Sequence, residues 1–211
     1  MSSARLSALP AGNWRLMPAP RVRPVERERA PRLARVMLAI VRRAERTRED
    51  YNVFTAPARL GRIFPAHTLF VSLLLKAGDI PIRDKELVIL RVAWRRGAVY
   101  EYGHYLHMAR RLGVSGSDIT DATTEPAGGQ NTRLGALLAA TDELLATGTL
   151  SGAGWSRVRH HATEDELVEL KILIGHYLMV SMMLNTIGVQ LEPRFAATIA
   201  ATAPDGARVL R

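Results

Sequence analysis

Residues 81–113 read PIRDKELVILRVAWRRGAVYEYGHYLHMARRLG. Pro81 suits the first helical position, where its missing N–H costs nothing, and Asp84 and Glu86 fall in the opening turns, where the helix dipole favours acids. The apolar run ELVILRVA carries this helix to Gly97, a residue suited to a C-terminal cap. YEYGHYLHMARR then forms a second helix that stops at Gly113. The spacing therefore predicts a helical hairpin whose second arm is dense in titratable and aromatic groups.

On that second arm, 3.6 residues per turn puts Glu101, His104, Tyr105 and Met108 on one face. Tyr100, His104 and His107 form an overlapping one, so His104 belongs to both. A glutamate three residues before a histidine suits a general base, because it orients the imidazole and raises its basicity. Glu86, set among Leu87, Val88, Ile89 and Leu90, is expected to face the same interior, where desolvation raises a carboxyl pKa unless an arginine compensates it. Each feature also has a plainer reading: a local Glu–His hydrogen bond, an Arg-paired acid, a surface His107, a satisfied core His176 beside Tyr177, and an exposed His160–His161 pair. His104 and His107 have usable metal-ligand spacing, but Glu101 is the single obvious third ligand, so no metal is expected.

Outside the hairpin the pattern stays helical. Five prolines among arginines make residues 1–31 an extended arm. Leu33, Val36, Met37, Ile40 and Val41 recur at helical spacing. A helix over Arg59–Lys76 is expected to bend near Pro65. Short helices follow at Ser117–Thr124 and in GWSRVRHHA, with a longer amphipathic one over Asn131–Thr147. Thr163 and Glu166 stand at capping-box spacing and open a helix running to Gly188. No stretch alternates with period two for long enough to make a strand, so the chain reads as all-α, with residues 32–211 as one domain.

The 211 residues carry a net charge of +9, yet residues 1–50 hold 12 arginines against 5 acids. The basicity thus belongs to the arm, which lacks the aromatic interleaving of a single-strand platform and any recognition helix, and this argues against nucleic acid as partner. With 26 arginines to 3 lysines and much alanine, the composition fits a GC-rich bacterial genome. Cysteine is absent, which removes disulfides, thiolate metal sites and thiol redox chemistry and fits a cytoplasmic protein. MSSARLSALPAG has no apolar core of secretory length. Residues 172–189, ILIGHYLMVSMMLNTIGV, approach membrane-spanning length but are interrupted by polar residues and glycine, and a buried core helix is the expected reading.

The stretch DKELVILRVAWRRGAVYEYGHYLHMARRLGVSGSDI resembles the signature hairpin of the carboxymuconolactone decarboxylase family, which includes the alkylhydroperoxidase D-like (AhpD-like) proteins. ARLSALPAGNW, NVFTAPARL and DELVELKILIGHYLMVSMMLNTIGVQLEP look like flanking segments of its actinobacterial members. The resemblance implies an AhpD-like helical bundle around the central hairpin, assembled as a trimer or hexamer. The redox branch of the family uses a glutamate, then Cys-x-x-Cys about twelve residues on, then a histidine. Counted from Glu86, those places hold Ala98, Glu101 and Tyr105, so a thiol peroxidase is excluded. The resemblance to the decarboxylase-like branch implies acid/base chemistry without a cofactor on a small carbonyl or carboxylate compound. In that reading Glu101 or His104 moves the proton, Glu86 orients the base, and Tyr100 or Tyr105 donates to the oxyanion. Arg91 is a candidate to hold a substrate carboxylate, against a structural salt bridge. Many relatives have histidine where this chain has Tyr105, and the alternative is a non-catalytic oligomeric member that binds a ligand or serves a structural role.

Overall fold

The computed structural model describes residues 9–15, 17–44, 46–127 and 132–202. The first eight residues of the expected arm and the expected helix start at Asn131 lie outside that set. Among the described residues there are ten α-helices and no named strand: α1 (Arg32–Ala44), α2 (Asn52–Thr55), α3 (Ile63–Lys76), α4 (Ile82–Arg96), α5 (Val99–Arg111), α6 (Gly116–Ala122), α7 (Arg133–Thr147), α8 (Gly152–Arg159), α9 (Glu164–Ile187) and α10 (Pro193–Thr202).

The hairpin forms the centre. Every residue of α4 from Asp84 to Ala93 is buried, because α5, α6, α7 and α9 pack around it. Gly97 ends α4 at φ 62, ψ 31, its N–H returning to the carbonyls of Ala93 and Trp94, and α5 departs two residues later. A side chain at Gly97 is excluded twice: by the left-handed backbone, and by the Asn13 carbonyl oxygen, 2.0 Å from where a Cβ would stand. The arm occupies that space. Arg15 N–H donates to the Gly97 carbonyl at 2.8 Å, Trp94 Nε1 donates to the Ala11 carbonyl at 2.7 Å, and the Trp14 ring packs on Tyr102. Farther along, Arg21 N–H donates to the Ile187 carbonyl at the end of α9.

The Thr163–Glu166 capping box is formed in both directions and opens α9. Among the described residues α9 alone is long and apolar enough to cross a membrane, yet half of its most apolar window is buried against the bundle.

Two sequence expectations change. Pro65 bends nothing: it sits in the first turn of α3, where its lost N–H has no intrahelical partner, while Arg59 and Leu60 belong to a separate 3-10 turn, Pro57–Leu60. Helix α10, unanticipated after Gly188, starts at a proline and packs against α5.

Among the described residues the two buried cations are paired. Arg91, fully enclosed, makes a two-pronged contact with Asp142 at 2.7 and 2.5 Å, and its third nitrogen donates to the carbonyls of Ala122 and Thr124. It is therefore a structural salt bridge, as one of the two sequence readings had it. Buried Lys85 is held likewise by Glu169 and the Leu74 carbonyl.

Candidate functional site

The second arm of the hairpin contributes Tyr100, Glu101, His104 and Tyr105 to one cavity of about 50 Å3. Helix α2 supplies Val53 and Phe54, α3 supplies His67 and Val71, and α9 supplies His176, Tyr177, Val180, Met183 and Leu184. Apolar side chains and the faces of the aromatic rings make most of the wall's surface, so Glu101 is shielded from water. The fifth expected residue, Glu86, does not line the cavity. It lies buried on α4 behind the two tyrosines, where its charge opposes ionisation of both.

Glu101 is the chemical centre. Its side chain is enclosed, and burial pushes its carboxyl well above the ordinary carboxylate range, with the Ser181 hydroxyl pulling the other way. Ser181 Oγ donates to Glu101 Oε2 at 2.7 Å. Oε1 has no hydrogen-bond partner among the described residues. The expected Glu101–His104 hydrogen bond is likewise absent among them. The two side chains leave α5 on adjacent paths, but Glu101 turns toward α9 while His104 is drawn into an aromatic cage.

That cage consists of Phe195 at 4.7 Å between ring centroids, Tyr105 at 5.2 Å, Tyr51 edge-on at 5.5 Å and Tyr100 at 6.3 Å. Burial in it, with His107 and Arg194 nearby, lowers the His104 pKa to about 3. The imidazole is neutral at physiological pH and a weak base, contrary to the basicity expected from its spacing to Glu101.

Tyr100 is committed to structure. Its hydroxyl donates to Glu192 Oε1 at 2.9 Å and accepts from Val53 N–H at 3.2 Å, while Glu192 Oε1 also accepts from Asn52 N–H at 2.6 Å. These bonds tie α2 and the start of α10 to the hairpin. The Tyr105 and Tyr177 hydroxyls bond each other across the cavity. One proton suffices for that bond, so the pair keeps a second for an acceptor in the cavity, and burial keeps both phenols protonated.

Sequence reasoning missed several groups. His67 drew no attention, and its ring lies 5.2 Å from that of His176, which the sequence gives as a core histidine. Burial lowers both imidazoles, His176 to about 4. Ser181 and Glu192 were unmarked; the signal for the first was a hydroxyl and a His-Tyr pair on one face of an otherwise apolar run. His107 is half-buried, bonded through Nδ1 to Thr198 Oγ1 at 3.0 Å, and is not the surface residue expected. Among the described residues no cluster of three or more histidines and acids is arranged to hold a metal ion.

No protein-family profile and no curated protein matches the chain. Solved structures do. An uncharacterised peroxidase-related protein from Ralstonia eutropha, described as an alkylhydroperoxidase AhpD core, superposes with TM-score 0.73 at 18% identity over 85% of this chain and 96% of its own. A variant of the debrominase Bmp8, solved in complex with 2,3,4-tribromopyrrole, gives TM-score 0.68 at 17% identity over 85% and 95%. A peroxidase-related protein from Silicibacter sp. gives 0.69 at 10% identity over 88% and 95%. At these identities the likeness concerns architecture: the chain has the AhpD-like all-helical fold.

Proposed function

We propose that this chain carries out acid/base chemistry without a cofactor on a small carbonyl compound, in the manner of carboxymuconolactone decarboxylase-like proteins, with proton transfer at the carbon beside the carbonyl as the common step. The observation that carries the reading is the Glu101 carboxyl: enclosed, raised in pKa, held through one oxygen by Ser181, and with the other oxygen free of hydrogen bonds among the described residues. In its ionised form such a group is a strong base, and once protonated it is the acid that returns the proton. The proton spared by the Tyr105–Tyr177 pair stabilises the enolate oxygen. Ser181 orients the base, Glu86 acts through the tyrosines, and His104 acts as a neutral wall and hydrogen-bonding group. Bmp8, with the same fold, has been solved with a small ring compound, which supports reading such a cavity as a ligand site.

The test is hydrogen–deuterium exchange. Small lactones and ketones incubated with the protein in deuterated water are expected to lose their α-proton signals, and Glu101→Gln to abolish the loss. Exchange that survives in Glu101→Gln at the wild-type rate sinks the role of Glu101. A second reading, a ligand-binding member without catalysis, is favoured by the commitment of Tyr100 and His104 to packing. Binding without exchange in any compound would select it. We also propose that the chain self-associates, through the apolar face formed by α3 and α9.

A further inference from the structure

The cavity is rich in hydrogen-bond donors but has no positive charge in its wall. Glu101, the Tyr105–Tyr177 pair and the imidazoles of His67, His104 and His176 face it, and no lysine or arginine lines it among the described residues. A second enclosed carboxyl, Glu86, stands behind the tyrosines. Five cations near the cavity are engaged elsewhere. Arg91 and Arg95 both hold Asp142, and Arg96 Nη2 donates to the Leu145 carbonyl. Lys85 is bound to Glu169, and Arg194 donates to Tyr51 Oη and Thr47 Oγ1.

Granted the site reading above, we propose that the cavity takes uncharged carbonyl compounds and rejects carboxylates. A ligand carboxylate would leave water for a wall with no lysine or arginine, beside two buried acids, with Arg194 behind His104 as the nearest cation acting on the wall. A neutral carbonyl oxygen needs only donors, which the tyrosine pair and a protonated Glu101 supply. The chemistry that fits is isomerisation of an uncharged unsaturated lactone or ketone. Ionised Glu101 removes the α-proton, the electron pair moves onto the carbonyl oxygen as an enolate, and the protonated Glu101 delivers the same proton to the γ-carbon. The double bond moves into conjugation, the molecular formula is unchanged, and no oxidant or co-reactant is needed. Decarboxylation of an anionic acid would begin with the charge this cavity lacks the means to bind.

The test uses three compounds on the full chain: α-angelica lactone, the same ring carrying carboxymethyl in place of methyl, and the methyl ester of that acid. The ester and the acid share ring and reach and differ in charge. Binding is read at pH 7 from the NMR signals of the His104 and Tyr105 rings. The ester is expected to bind at least about tenfold more tightly than its acid, with α-angelica lactone on the side of the ester. An acid that binds as tightly as its ester, or more tightly, overturns the charge preference and leaves the site reading standing. If none of the three perturbs those signals, the cavity is not the site and both readings fall together.

Discussion

Two side chains one turn apart on α5, Glu101 and His104, behave as opposites. His104 has a folded pKa near 3 against an ordinary 6.5, so between those values the unfolded chain binds a proton that the folded one refuses. Its contribution to stability is complete above pH 6.5 and is lost as the pH falls toward 3. Glu101 has the reverse sign: the folded state keeps a proton that the unfolded carboxyl releases near 4.5, so the protein loses stability as pH rises above 4.5 toward the folded value. Titration by NMR is expected to leave the His104 ring neutral down to about pH 3 in wild type and in Glu101→Gln alike, because the two side chains share no hydrogen bond. A midpoint near 6 in either protein would show the cage open to water. Replacing Ser181 by alanine removes the one bond that holds down the Glu101 pKa; it should raise that pKa further and cost on the order of 1–3 kcal/mol, measured by denaturant unfolding. The four cavity-lining residues on α5 were legible because helical spacing alone puts them near one face. Which way each turns was not, since that depends on Ser181 and Phe195, 80 and 91 positions downstream of Glu101 and His104.

The element that organises this site is the turn between α4 and α5. Proline, an acidic first turn, a closing glycine and a second amphipathic run made it readable without any tertiary information, and the Thr163–Glu166 box marked the start of α9 in the same way. What stayed unread were the short elements whose existence depends on partners. Helix α2 has four residues and α10 ten, both too short to hold in isolation, and they are fixed by Glu192, Tyr100 and Asn52 across the fold. The two ways of building an element predict different mutant behaviour. Gly97→Ala attacks the hairpin and the arm together, through the positive φ and the Asn13 carbonyl. It should cost at least about 1–2 kcal/mol and make the first 31 residues sensitive to protease before the core unfolds. Tyr100→Phe keeps the hairpin but leaves Glu192 and the Val53 N–H each short of a partner. Hydrogen exchange should then quicken in α2 and α10 while α4 keeps its protection, and uniform loss across all helices would contradict this division.

In the whole molecule, helices α9 and α3 leave an apolar surface uncovered, as α1 does with Leu33, Val36 and Ile40. On α9, Val168 is 61% exposed, Ile172 46%, Met179 49% and Met182 62%. With Gly175 they follow steps of four, three, four and three, the spacing of a helix seam. The stripe is nearly symmetric about Gly175, to within one residue: a second copy crossing antiparallel on a two-fold axis there would set Val168 against Met182 of the second copy and Ile172 close to its Met179. No atom lies within 4 Å of where a Gly175 Cβ would point, so the second helix can approach closely. Helix α3 extends the surface with exposed Ile63, Leu69, Phe70 and Leu73, and the His67–His176 contact joins the two helices beside the cavity. Eight such side chains, at roughly 100 Å2 of exposed area each, reach about 800 Å2, the share one partner contributes to a stable interface. An isologous contact of this kind makes dimers and, combined with a second contact, hexamers, but never a trimer by itself. Light scattering on the purified chain is therefore expected to give an even multiple of 23.3 kDa. Met179→Asp should halve the mass or reduce it to the monomer, with helical circular dichroism retained, because a buried unpaired carboxylate facing Ile172 of the second copy is far costlier than one in water. A wild-type monomer, a trimer, or a Met179→Asp variant of unchanged mass would each remove α9 as the meeting surface.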